Sequence, residues 1–242
     1  MEQLVRFYSE GQAILGNLSL PYKGAPGIIM SHGFESSKDG KKWLALAPRF
    51  YEAGFACLRF TYRGCGKGQE RSEGQFEDTT LSGRIKDYTA AINFSETTEI
   101  DAKRLGVVGS SFGGMVALAA QNSRIKAMVT LATPARFQIP AREQLNREFF
   151  ELPSGKRLRT RFFRDAQQYD MCQTIGKMSC PVLIIHGSAD EMVPVKDAHD
   201  FYKSAKEPKR LVIIKDGSHA LNEPEHLEQI INLTLNWFKQ YL

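Results

Sequence analysis

The chain has 242 residues, of which 42% are hydrophobic and 24% charged, a composition that excludes disordered and collagenous chains and suffices for one substantial core. Its net charge of +5 bears on solubility more than on fold, and is too modest to indicate a nucleic-acid partner. The start Met1-Glu2-Gln3-Leu4-Val5-Arg6 lacks the basic residues and apolar run of a secretory signal, and no apolar stretch nears membrane-spanning length, so a cytoplasmic protein with no membrane partner is expected.

Strand-length apolar runs alternate with segments of helical spacing. The first runs are residues 13–20 and 27–30, the second leading into Ser31-His32-Gly33-Phe34-Glu35; a helix is predicted over 43–53 and a strand over 56–60. Gly64-Cys65-Gly66-Lys67-Gly68 has no G-K-[ST] ending and no apolar helix behind it, so it reads as a structural turn and not a phosphate cradle. A helix over 80–94, a strand over 105–108, a helix over 115–121 and a strand over 127–131 follow. Several of the strand runs are continuous rather than alternating, which suits strands covered on both faces. The alternation predicts an α/β fold, a mostly parallel sheet flanked by helices, with antiparallel strands at the N-terminus.

Residues 134–178 break the rhythm, separating two strands by far more than a connection needs. Pro134, Pro140 and Pro153 punctuate the segment, and Phe137, Phe149, Phe150, Phe162, Phe163 and Tyr169 give it apolar surface; it reads as a small cap inserted into a single domain spanning 1–242. Its basic run, Lys156 to Arg164, reads as a solvated face. A strand over 182–185, a helix over 195–205, a strand over 211–214 and a helix from 225 to the C-terminus complete the chain. Cys57, Cys65, Cys172 and Cys180 form no C-x-x-C pair and no zinc-ligand pattern, so structural thiols are expected, with no metal and no disulfide frame.

The chemistry-bearing motif is Gly109-Ser110-Ser111-Phe112-Gly113, placed between the strand at 105–108 and the small-residue helix at 115–121. A serine thrust out on a sharp strand-to-helix turn adopts a strained backbone and needs small residues two before and two after it, a condition Ser111 meets and Ser110 does not. A serine hydroxyl is a poor nucleophile at neutral pH, so a base must take its proton and a third group must orient the base. Among five histidines, His219 follows the last strand, at the sheet edge where α/β folds place their sites. His199 and His226 lie in helical patterns and read as exposed, and His186 ends a strand as a core or turn residue. Asp190 follows the preceding strand at the same edge and is the candidate orienting acid. For the oxyanion the candidates are the backbone N–H groups of Phe112, next after the serine, and Phe34, in the loop after the strand at 27–30.

With these residues in place the chain resembles the α/β-hydrolase carboxylesterases of bacteria, especially the short-cap group of cinnamoyl and feruloyl esterases. The resemblance rests on His32-Gly33-Phe34, the turn Tyr62-Arg63-Gly64-Cys65-Gly66, the Ser111 elbow, His186-Gly187-Ser188-Ala189-Asp190 with Val193-Pro194, and Gly217-Ser218-His219; the order Ser, Asp, His is that of the class. It implies an α/β-hydrolase fold and ester hydrolysis through an acyl-enzyme, with residues 134–178 shaping the acyl or alcohol pocket and no cofactor required. Feruloyl-type members commonly carry His-Ser-Gln-Gly-Gly at the elbow where this chain has Ser110-Ser111-Phe112-Gly113-Gly114, so a phenolic substrate is not implied. The expected partner is a small-molecule ester, and an oligomer is left open. The alternatives are a peptidase or amidase of the prolyl-oligopeptidase type and a hydrolase-fold binding protein without catalysis.

Overall fold

A computed structural model describes residues 2–242. Eight strands form one sheet: β1 (Glu2–Ser9), β2 (Gln12–Ser19), β3 (Pro26–Ser31), β4 (Ala56–Phe60), β5 (Asp101–Ser110), β6 (Ile125–Leu131), β9 (Val182–Gly187) and β10 (Lys209–Ile214). They lie in the order β1-β2-β4-β3-β5-β6-β9-β10. The pairs β1–β2 and β2–β4 are antiparallel and every later pair is parallel, as the continuous apolar runs require. In β3, β4 and β9 every residue is buried. β1 is the partial exception to legibility: only Phe7 and Ser9 of its eight residues are buried, because it is the antiparallel edge and needs one apolar contact face at most.

Successive residues of the central strands feed opposite cores, Val107 to one and Val108 to the other. On the Val108 side lie α1 (Lys41–Glu52) and α8 (Pro224–Tyr241), which contribute Trp43, Leu46, Phe50, Ile230, Trp237 and Phe238. On the Val107 side lie α2 (Leu81–Glu96), α3 (Phe112–Ala120) and α7 (Val195–Ser204). Thr80 caps α2, its hydroxyl accepting from Gly83 N at 2.9 Å. The chain leaves β3 toward β4 on one side and returns to β5 on the other, so the loops after β3 and β5 diverge at a switch of strand order, where α/β sheets open a crevice.

The segment between β6 and β9 holds α4 (Arg142–Leu145), the hairpin strands β7 (Phe149–Glu151) and β8 (Arg157–Arg159), α5 (Arg161–Ala166) and α6 (Met171–Lys177). Of its aromatic residues, Phe162 and Phe163 are buried in the core on the α2 and α3 side, and Phe137, Phe150 and Tyr169 are half-buried against it. The basic run faces solvent as its charge predicts, with Lys156, Arg157, Arg161 and Arg164 exposed, and its arginines also form ion pairs. Arg157 pairs with Glu77 at 3.3 Å, Arg159 with Asp78 at 2.9 Å and Glu148 at 2.5 Å, and Arg161 with Asp78 at 2.7 Å. Glu77 and Asp78 stand in a one-turn helix 80 to 83 residues upstream of these arginines, a partnership that no local pattern announces. His226, read as exposed, is buried at the start of α8 with Nδ1 at 3.0 Å from Glu223; its helix turns that face toward the sheet.

Candidate active site

The elbow is built by close approach of backbone. Ser111 has φ +52°, a left-handed conformation strained for any residue with a Cβ, and its N–H is held by Leu131 O at 2.7 Å. A Cβ at Gly109 would lie 2.7 Å from Gly114 Cα, and one at Gly113 would lie 2.2 Å from Ser31 O. Glycine at both positions is therefore a steric demand: α3 begins in contact with the exit of β3, and the serine is pushed clear of the sheet. A Cβ at Gly33 would meet Ser111 Cβ at 3.5 Å, an ordinary contact, so at that position glycine keeps a side chain off Ser111 instead of enabling a turn.

Ser111, His219 and Asp190 are brought together as expected. His219 Nε2 is 3.1 Å from Ser111 Oγ, and Nδ1 is 2.9 Å from Asp190 Oδ2. Asp190 is a buried, acceptor-only carboxylate that fixes the proton on Nδ1 and leaves Nε2 free to accept from the serine. Burial alone would raise the Asp190 pKa. Hydrogen bonds from His186 and His219, and from the N–H groups of Val193 and Met192, outweigh it and hold the carboxyl well below the usual range. His186, expected as a core or turn residue, is buried here and contributes: its Nε2 lies 3.0 Å from Val193 O and 3.1 Å from Asp190 Oδ2.

The loops bearing Asp190 and His219 are laced together. Gly187 and Gly217 approach so closely that a Cβ at Gly187 would fall 2.1 Å from Gly217 O. Ala189 N donates to Gly217 O at 3.0 Å, Ser188 N to Ile214 O at 2.8 Å, and Asp216 N to Ser188 Oγ at 2.8 Å.

Among the described residues, the N–H groups of Phe34 and Phe112 donate to no backbone or side-chain acceptor, as donors kept for a ligand must. Behind Phe34 stands a buried array of His32, Tyr62 and Arg84. His32 Nδ1 donates to Gly33 O at 2.7 Å while its Nε2 accepts from Tyr62 N at 3.0 Å. Burial, with the nearby Arg84 charge, lowers the His32 pKa to about 3 and keeps the ring neutral. Arg84 donates to Phe34 O at 2.7 Å and is packed against the rings of Phe34, Tyr62 and Phe112. Its signal was present: Leu81, Arg84, Tyr88 and Ile92 share one helical stripe, and Arg84 is the charge within it.

A cleft of about 310 Å³ opens beside Ser111 and His219, lined among others by Phe34, Glu35, Lys42, Trp43 and Met192. Among the described residues, none from 134–178 lines it. That segment instead sets Phe137 and Phe162 against Phe34 and Phe112, with ring centroids 5.3 to 5.8 Å apart, and so backs the Phe34 loop rather than walling the cleft.

The sheet order, the strained serine after β5 and the loops after β9 and β10 place this chain in the α/β-hydrolase superfamily. More narrowly, the chain belongs to the prolyl oligopeptidase family, whose sequence profile matches residues 38–242. Among curated proteins it is similar to the uncharacterized protein YfhR of Escherichia coli O157:H7, 30% identical over 86% of this chain and 70% of that one. It is also similar to the human mitochondrial palmitoyl-protein thioesterase ABHD10, 29% identical over 70% of this chain and 58% of that one. Among solved structures, Est1E from Butyrivibrio proteoclasticus with bound ferulic acid superposes with a TM-score of 0.87 at 24% identity, covering 98% of each chain. Mouse ABHD10 superposes at 0.83 with 22% identity, over 98% of this chain and 99% of that one. Among the described residues, no helix is long and apolar enough to cross a membrane and no group of His, Cys, Asp and Glu is placed to hold a metal ion.

Proposed function

We propose that the protein is a serine hydrolase of small to medium carboxylic esters, with Ser111 as nucleophile, His219 as general base and Asp190 as the orienting acid. The carrying observation is the pair of contacts at 3.1 Å and 2.9 Å that links the serine, imidazole and carboxylate in line. His219 Nε2 takes the Ser111 proton as Oγ bonds to the ester carbonyl carbon, and the carbonyl π pair moves onto oxygen. The N–H groups of Phe34 and Phe112 stabilise that oxyanion. Collapse of the tetrahedral intermediate breaks the bond to the leaving alcohol, which takes the proton from the imidazolium; water then repeats the sequence and frees the acid. A cleft near 310 Å³ is at the small end of ligand sites, which favours a short or medium acyl group. Residues 134–178 act in this reading as a cap that supports the oxyanion loop.

Thioesters belong in the same substrate panel, since the human relative's name is that of a thioesterase. The family name favours a second reading, peptide hydrolysis. Against it, the carboxylate lining the cleft is Glu35, engaged by Ser154 and Lys156, while Lys41 and Lys42 also line it; a substrate ammonium group finds no free anion there. The test is a panel of oxygen esters, thioesters and aminoacyl amides run beside labelling with a fluorophosphonate. Ester turnover with labelling lost in Ser111→Ala supports the proposal. Faster amide turnover transfers the assignment to peptidase, and ligand binding without labelling transfers it to a non-catalytic protein.

A further inference from the structure

Four lysine and arginine side chains are buried. Lys38 contacts Asp39 and Glu70, Arg59 holds Glu2 and Asp39, and Arg84 donates to backbone carbonyls among three rings. Lys42 differs from all of them. It is 7% exposed, its Nζ donates to the hydroxyl of Ser110 at 2.9 Å, and among the described residues no carboxylate lies within ion-pair distance of it. One hydroxyl takes one of the three ammonium protons. Its position compounds the oddity: Lys42 is the second residue of α1, whose first turn carries no acidic side chain and whose N-cap makes no side-chain bond. The positive end of a helix repels a cation there and attracts an anion. Burial lowers the Lys42 pKa to about 8, while Asp190 and Glu223 act in the opposite direction, so the ammonium form prevails at neutral pH.

A buried ammonium with open donors, on the wall of the cleft that holds Ser111 and His219, is a site built for a negative group. We propose that Lys42 is the anion anchor of this cleft and that the preferred substrate is an ester bearing a free carboxylate a few methylene groups from the scissile carbonyl. Resting on the reading of Ser111 as nucleophile, the inference names the substrate class for that site. Lys42 holds the hydroxyl of Ser110, the residue directly before Ser111, so the anchor lies close to the reacting serine and short half-esters are the probes that suit it. The cleft's one lining carboxylate, Glu35, is tied to Ser154 and Lys156 and does not neutralise the anchor.

The experiment measures binding apart from turnover. Calorimetric titration of the Ser111→Ala protein uses the monomethyl esters of succinate, glutarate and adipate against their dimethyl esters. The expected result is at least about tenfold tighter binding of one or more half-esters than of the matching diester, a preference abolished by adding Lys42→Met and partly kept by Lys42→Arg. Equal binding of half-ester and diester overturns the proposal, and needs no Lys42 variant to do so; so does a preference that survives Lys42→Met. Turnover of the same compounds by the unaltered protein tests the other reading separately. Anion-selective binding without hydrolysis would sink the esterase assignment and leave the anchor standing, whereas hydrolysis without anion selectivity would do the reverse.

Discussion

At the rim that carries Ser111, Asp190 and His219, backbone meets backbone: a Cβ at Gly113 would fall 2.2 Å from Ser31 O and one at Gly187 2.1 Å from Gly217 O. Residues 134–178 are held otherwise, by a cluster of phenylalanine rings and by arginine pairs to Glu77, Asp78 and Glu148 in which every side chain is partly or largely exposed. Sterically locked glycines tolerate nothing larger, while exposed ion pairs contribute little each and are individually replaceable. The comparison teaches that geometry at the rim is set by exclusion, and in the inserted segment by the sum of many weak attractions.

Four experiments test that contrast. The largest effect belongs to chemistry: Ser111→Ala and His219→Ala each lower ester turnover by a factor on the order of 10⁴ or more, with little change in melting temperature. A variant that retains full activity would displace that residue from the mechanism. Next comes Gly113→Ala, whose added methyl group meets backbone oxygen rather than a flexible side chain. A loss of about 3 kcal/mol is expected, read as a fall of roughly 6–12 °C in thermal midpoint; an unchanged midpoint would show that the rim yields more easily than argued.

Third is acid sensitivity at His32. Its folded pKa of about 3 lies below the ordinary 6.5, so the unfolded chain binds a proton in that window that the folded chain refuses. The stability it supports is complete above about pH 6.5 and is lost as pH falls toward 3, with a slope of about 1.4 kcal/mol per pH unit. Urea midpoints measured between pH 6.5 and 4 should show this slope, and His32→Gln should flatten it. The smallest effect is Arg159→Ala, expected to leave the thermal midpoint nearly unchanged, as exposed ion pairs contribute little. A large fall would mean that the arginine network acts as a unit and that the two regions are less different than they look.

What could be read in advance divides along the same line. Ser111, Asp190 and His219 were legible because each follows a continuous apolar strand and because glycines mark the tight approaches. The strands β3, β4 and β9 were legible for the same reason, being covered on both sides. Lys42 was not: two lysines before a tryptophan look like any solvated helix start, and only the fold turns the second of them inward. The ion pairs of the 156–164 run join residues about eighty positions apart, beyond any local pattern. Arg84 had a signal in its helical stripe, but its role depends on where Phe34 and Phe112 converge, which is a property of the assembled sheet.

The lacing between Gly187 and Gly217 has a mechanical consequence. With Asp190 and His219 riding on one fused pair of loops, and Ser111 on a separate turn wedged against β3, the site has a single seam. Thermal breathing or a poorly fitting ligand would part it between hydroxyl and imidazole, leaving the imidazole and its carboxylate docked and ready to re-engage.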